Sequence, residues 1–165
     1  MNPATFLPSR APLVAALAAA ALLLPAARAD DDHHRALRVP VLPKYQQECA
    51  ACHLAYPPGL LPAASWQRLM GGLDRHFGTD ASLDAESAAL VTRWLVAHAG
   101  TGRRVSATPP PEDRITRSAW FIRKHDEVAP AVWKRASIKS AANCLACHPG
   151  AERGDFEEDR VRIPK

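Results

Sequence analysis

Two short strings place two thiols and an imidazole at fixed intervals. They are Cys49-Ala50-Ala51-Cys52-His53 and Cys144-Leu145-Ala146-Cys147-His148, and they use all four cysteines of the 165-residue chain. C-x-x-C-H is the attachment signature of c-type haem. Two thiols three positions apart reach the two vinyl groups of one porphyrin and form thioethers. The adjacent histidine then lies under the iron as proximal ligand. Other cysteine chemistries fit less well. A redox disulfide leaves the histidine without a role in both copies. A shared zinc site needs compact spacing, whereas 91 residues separate Cys52 from Cys144. Disulfides within each pair close loops too small to constrain the unfolded chain much. Two covalent haems use every residue of both motifs, with His53 and His148 as proximal ligands.

The ligand on the other face of each iron decides the chemistry. Methionine raises the potential, an open face binds small molecules, and a second histidine closes the site. Beyond Met1 the chain has one methionine, Met70, so at most one haem is His/Met ligated. Five histidines lie outside the motifs: His33, His34, His76, His98 and His125. His33 and His34 follow a run of three aspartates near the N-terminus and read as solvated.

His76 closes an expected helix over residues 65–77, with Ser65 as N-cap and Gly78 as stop. Trp66, Leu69, Leu73 and His76 share one face of it. Met70 lies about 120° around that helix from His76 and reads as core. His125 ends a second expected helix, over residues 112–125, where Ile115, Ala119 and Ile122 share its face. His98 is the competitor. It ends a helix starting at Ser82, where a histidine also serves the C-terminal dipole. His53 to His76 and His125 to His148 are both 23 residues, in reversed order. Each motif therefore has a distal candidate one short loop away, which closes at less entropic cost than a longer one.

The remaining elements are short. A helix over residues 45–53 leads into the first motif, one follows Pro130 through Trp133, and one runs from Ser140 into the second motif. Residues 156–165 read as an extended, charged tail. Fifteen prolines against eight glycines exclude long helices and a large sheet. The fold class is mostly α: short helices and loops packed around two covalently bound c-type haems. Trp66, Trp94, Trp120 and Trp133 are candidates to pack on the porphyrins.

Arg10, the apolar run from Ala11 to Leu24, and Ala27-Arg28-Ala29 read as a secretory signal peptide cleaved after Ala29. The run is about 14 residues, short of the ~20 that a membrane-spanning helix needs. Expected divisions are 1–29 signal peptide, 30–100 first haem lobe, 101–111 linker and 112–165 second haem lobe. The mature chain would carry 19 basic and 17 acidic residues. So small and dispersed a charge excludes a nucleic-acid-binding surface. Export points to the periplasm.

The string from Glu48 to Pro62, then Ser65-Trp66 and His76-Phe77-Gly78-Thr79-Asp80-Ala81, resembles the bacterial dihaem cytochrome c family. So do Lys124-His125, Trp133, Ala142-Asn143-Cys144-Leu145-Ala146-Cys147-His148 and Gly154-Asp155-Phe156. The resemblance implies a periplasmic electron carrier with two bis-His haems. It carries over His53 and His148 as proximal ligands, with His76 and His125 as the matching distal candidates. It also implies redox partner proteins: a small oxygen-binding monohaem cytochrome as acceptor, and a link to a membrane cytochrome b. The expected function is one-electron transfer without an organic substrate. The rival is a haem enzyme or ligand-binding sensor of peroxidase type, with one open iron, for which His125 in its polar turn reads as the labile ligand.

Overall fold

The computed structural model describes Met1 and residues 37–102, 105–106 and 108–165. The expected signal peptide, His33 and His34 lie outside the described residues. Those residues form five α-helices and seven 3-10 turns, with one isolated antiparallel bridge between His76 and Thr79. None of the helices is long and apolar enough to cross a membrane.

Helix α1, Pro43–Cys49, starts on a proline, which costs nothing where the N–H has no helical partner. It ends on the first motif cysteine. Its buried residue, Tyr45, donates its hydroxyl to the Tyr56 carbonyl at 2.8 Å. That bond closes the motif loop back onto the helix.

The loop Pro58–Pro62 is buried, so its backbone polar groups need partners. Trp66 Nε1 donates to the Pro58 carbonyl at 2.8 Å, and the Gly100 amide donates to the Leu61 carbonyl at 2.8 Å. A Cβ on Gly100 would stand 2.4 Å from the Gly59 carbonyl oxygen, so only glycine permits this approach.

Helix α2, Ala63–Met70, begins after Pro62 and stops at Gly71-Gly72. The expected helix over residues 65–77 is therefore two pieces. A separate 3-10 turn, Leu73–Arg75, follows the two glycines, and His76 comes after it. Helix α3, Ala85–Ala97, starts at Asp84 rather than Ser82, because the Asp84 side chain accepts from the Ser87 amide at 2.9 Å. Val91 and Leu95 of α3 join Tyr45, Ala55, Leu61 and Trp66 in the main core, with Met70 packed at its edge.

The second half is looser. The expected helix over residues 112–125 is broken, because Glu112 and Asp113 both adopt left-handed φ, 56° and 54°. Ser118 then caps a short helix α4, Ala119–Lys124, accepting from the Phe121 amide at 3.1 Å. Helix α5, Pro130–Trp133, again opens on proline. The second motif lies in the turn Cys144–Ala146 rather than in a helix. The tail is pinned: the Arg162 amide donates to the Cys147 carbonyl at 2.9 Å, and Lys124 meets Glu158 at 2.7 Å.

Several contacts join the halves. Tyr56 reaches Ala142, Arg68 grips Asp113, and Arg38 approaches Asp155 at 4.0 Å.

Candidate functional site

Each motif histidine faces one distant histidine. The His53 and His76 ring centroids are 6.0 Å apart, with planes at 27°. The His125 and His148 centroids are 6.1 Å apart, with planes at 79°. Two imidazoles on opposite faces of one metal ion, with bonds of about 2 Å and about 1.1 Å from nitrogen to ring centre, place centroids about 6.2 Å apart. Twist about the shared axis leaves that separation unchanged.

Local backbone sets one ring of each pair. His53 Nδ1 lies 2.7 Å from the Leu54 carbonyl and His125 Nδ1 lies 2.9 Å from the Phe121 carbonyl. An Nδ1 engaged by a carbonyl leaves Nε2 free for a metal and fixes the tautomer. His125 is also walled by rings, Phe121 at 4.0 Å and Trp133 at 5.8 Å. Phe156 stands 5.2 Å from His148. In the first pair Tyr56 stacks on His53 at 5.0 Å and Phe77 meets His76 edge-on at 4.9 Å.

Desolvation, then the opposing His53, lower the pKa of His76. Desolvation and His125 lower that of His148, against Asp155. His76 and His148 therefore favour neutral imidazole, the ligating form.

Cys49 and Cys144 move the opposite way to redox thiols. Burial, helped by Glu48, pushes Cys49 up to about 11, and burial pushes Cys144 up to about 11. Disulfide oxidoreductases lower the pKa of their attacking cysteine, so these pairs are not built for thiol exchange. Among the described residues no group of three or more His, Cys, Asp and Glu gathers as a metal ion would need.

His98 is placed elsewhere. Its Nδ1 lies 2.9 Å from the Trp94 carbonyl and its ring 5.1 Å from the Trp94 ring. Of the four tryptophans, Trp133 touches a histidine of a facing pair. Trp66 is in the core, Trp94 packs on Tyr45 and His98, and Trp120 lines a proline-rich cleft. Ile122, expected beside His125, is 59% exposed, and the i−4 residue Phe121 takes that role instead. Phe121 sits one turn before His125, so the i−4 spacing was the available signal.

A model of the dihaem cytochrome c family matches residues 45–156, which span both motifs and all four facing histidines. The chain belongs to the dihaem cytochrome c family. A solved diheme cytochrome c from Shewanella baltica OS155 is 39% identical, with TM-score 0.67, over 76% of this chain and 95% of that one. DHC from Rhodobacter sphaeroides is 50% identical, with TM-score 0.62, over 72% and 99%. A second diheme cytochrome c structure from that organism is 48% identical, with TM-score 0.64 and the same coverage. No curated protein matches. This dihaem cytochrome thus carries two c-type haems, and its four cysteines supply two C-x-x-C-H motifs. Its class is electron transport, and the mostly helical fold is that of its relatives.

Proposed function

We propose that this cytochrome is a periplasmic one-electron carrier whose two irons are both held by histidine pairs. Cys49 and Cys52 would tether the first haem, and His53 and His76 would hold its iron. Cys144 and Cys147 would tether the second, with His148 and His125. The first belongs to residues 30–100 and the second to residues 112–165, with 101–111 as linker.

The facing distances carry this reading: 6.0 and 6.1 Å, each between a motif histidine and one histidine 23 residues away. Each haem supplies a ferric–ferrous couple. The protein favours the neutral form of His76 and His148, orients His53 and His125 through carbonyls, and shields the second pair with Phe121, Trp133 and Phe156. A ligand set unchanged on reduction suits electron transfer better than substrate chemistry, which needs an open position. We therefore assign no enzymatic activity. The family resemblance supports a small oxygen-binding monohaem cytochrome as electron acceptor and a link to a membrane cytochrome b. Docking to either would be transient, over a small interface.

A potentiometric titration tests the reading. Two electrons per chain should leave in one-electron steps, both below the potential range of His/Met haems. A single electron per chain, or a step in the His/Met range, would contradict it.

A further inference from the structure

We infer that the first haem has a second use: His76 yields its position to a neutral diatomic ligand, whereas His125 does not. This rests on the bis-His reading above. It follows from how differently the two distal histidines are held.

His125 caps α4. Its Nδ1 is engaged by the Phe121 carbonyl, and Phe121 and Trp133 flank its ring. To leave an iron it would have to break that bond and slide off Phe121. His76 follows a 3-10 turn and opens a two-residue hairpin, in which Phe77 and Gly78 have φ of 50° and 95°. The Thr79 amide returns to the His76 carbonyl at 3.1 Å. His76 Nδ1 is buried yet makes no hydrogen bond to any described residue. Its ring is therefore held by packing alone, and its covering ring, Phe77, is 46% exposed.

His76 itself lines an open cavity of about 220 Å³, together with Leu69, Gly72, Phe77, Arg68, Arg75 and Asp113. One water occupies ~30 Å³ in the liquid, so an imidazole ring fits there. A buried nitrogen without a protein acceptor, beside space for the ring to enter, is what a retreating ligand needs. A ring that swings by its own width frees room for a small ligand only. Ferrous haem takes neutral diatomics, such as carbon monoxide, in such a position.

The test uses the full holoprotein, reduced with dithionite and mixed with carbon monoxide. One haem of two should bind, slowly, at a rate that levels off at high gas concentration because His76 departure limits it. His76→Ala should make that binding fast and leave the second haem unreactive. Gly72→Leu should slow the wild-type phase about tenfold or more by overfilling the cavity. Leu69→Trp fills the same space from α2 and should act alike. The proposal is overturned if an all-low-spin wild type binds no carbon monoxide, which leaves the bis-His reading standing. It is also overturned if both haems bind, if both cavity-filling variants bind at the wild-type rate, or if His125→Ala removes the slow phase. High-spin iron in the oxidised wild type would overturn the bis-His reading, and this proposal with it.

Discussion

The hydroxyl of Tyr56 donates to the carbonyl of Ala142 at 2.8 Å, although the two lie 86 positions apart in the chain. The same ring stacks on His53 at 5.0 Å. Ala142 stands two residues before Cys144, whose sulfur, after burial, is the next cause that pushes the Tyr56 phenol up to about 12. One side chain thus touches a ligand of the first candidate haem and the attachment segment of the second. Tyr56→Phe keeps the stack and removes the bond, so stability should fall by about 0.5–1.5 kcal/mol with haem content unchanged. A urea midpoint and a haem assay check this. An unchanged midpoint would mean that the bond adds nothing to the join between halves.

Asp113 should give the protein an acid-dependent clasp. Arg68 donates to it from Nε at 2.9 Å and Nη2 at 2.6 Å, and these bonds hold its carboxyl below the ordinary value of 3.8. A carboxylate with a depressed folded pKa stabilises the fold above its unfolded pKa. That contribution disappears as pH falls through the folded pKa. The stability gap between wild type and Asp113→Asn should therefore be constant above about pH 5 and close in stronger acid. A gap that widens on acidification would contradict the assignment.

The two attachment motifs were legible in the sequence because attachment fixes cysteine and histidine spacing locally. Their supports were less so. The stripe from Trp66 to His76 reads as one helix until the cost of Gly71-Gly72 is counted, and there the helix stops. His76 is reached by a turn instead, and that places its Nδ1 beside a cavity. Asp84 was readable as a cap, since its partner Ser87 lies three residues on. Ile122 and Phe121 are both one turn from His125, and packing chose the larger ring. The Tyr56–Ala142 and Arg68–Asp113 bonds left no local pattern, because each joins segments that meet only after folding. His98 lay on an apolar helix like a ligand, yet its Nδ1 is engaged by the Trp94 carbonyl one turn back.

Gly100 is required by a close approach rather than by its φ. Gly100→Ala would press a methyl onto the Gly59 carbonyl and onto Val105 Cγ2 at 2.3 Å. Stability should fall by about 1–3 kcal/mol, as for other overpacked sites. Thermal unfolding measures it, and an unchanged midpoint would show that the buried loop shifts freely.

Haem loss should unfold the second half first. Its buried apolar side chains are few: Phe121, Ile138 and Ala151. Binding free energy that favours only the folded state adds directly to stability. A Cys144→Ser, Cys147→Ser variant should lose amide protection across residues 112–165 while α1 to α3 keep theirs. Equal loss in both halves would contradict this division.

The most direct measurement is electron paramagnetic resonance of the oxidised holoprotein. If the pairs hold iron, ring planes at 27° would split its dπ orbitals, and planes at 79° would leave them nearly degenerate. Two low-spin ferric signals of equal weight should appear, one rhombic and one strongly anisotropic. His76→Ala should remove the rhombic signal and His125→Ala the anisotropic one, whereas His98→Ala should remove neither. A high-spin signal in the wild type, or a low-spin signal lost with His98, would contradict the histidine-pair assignment.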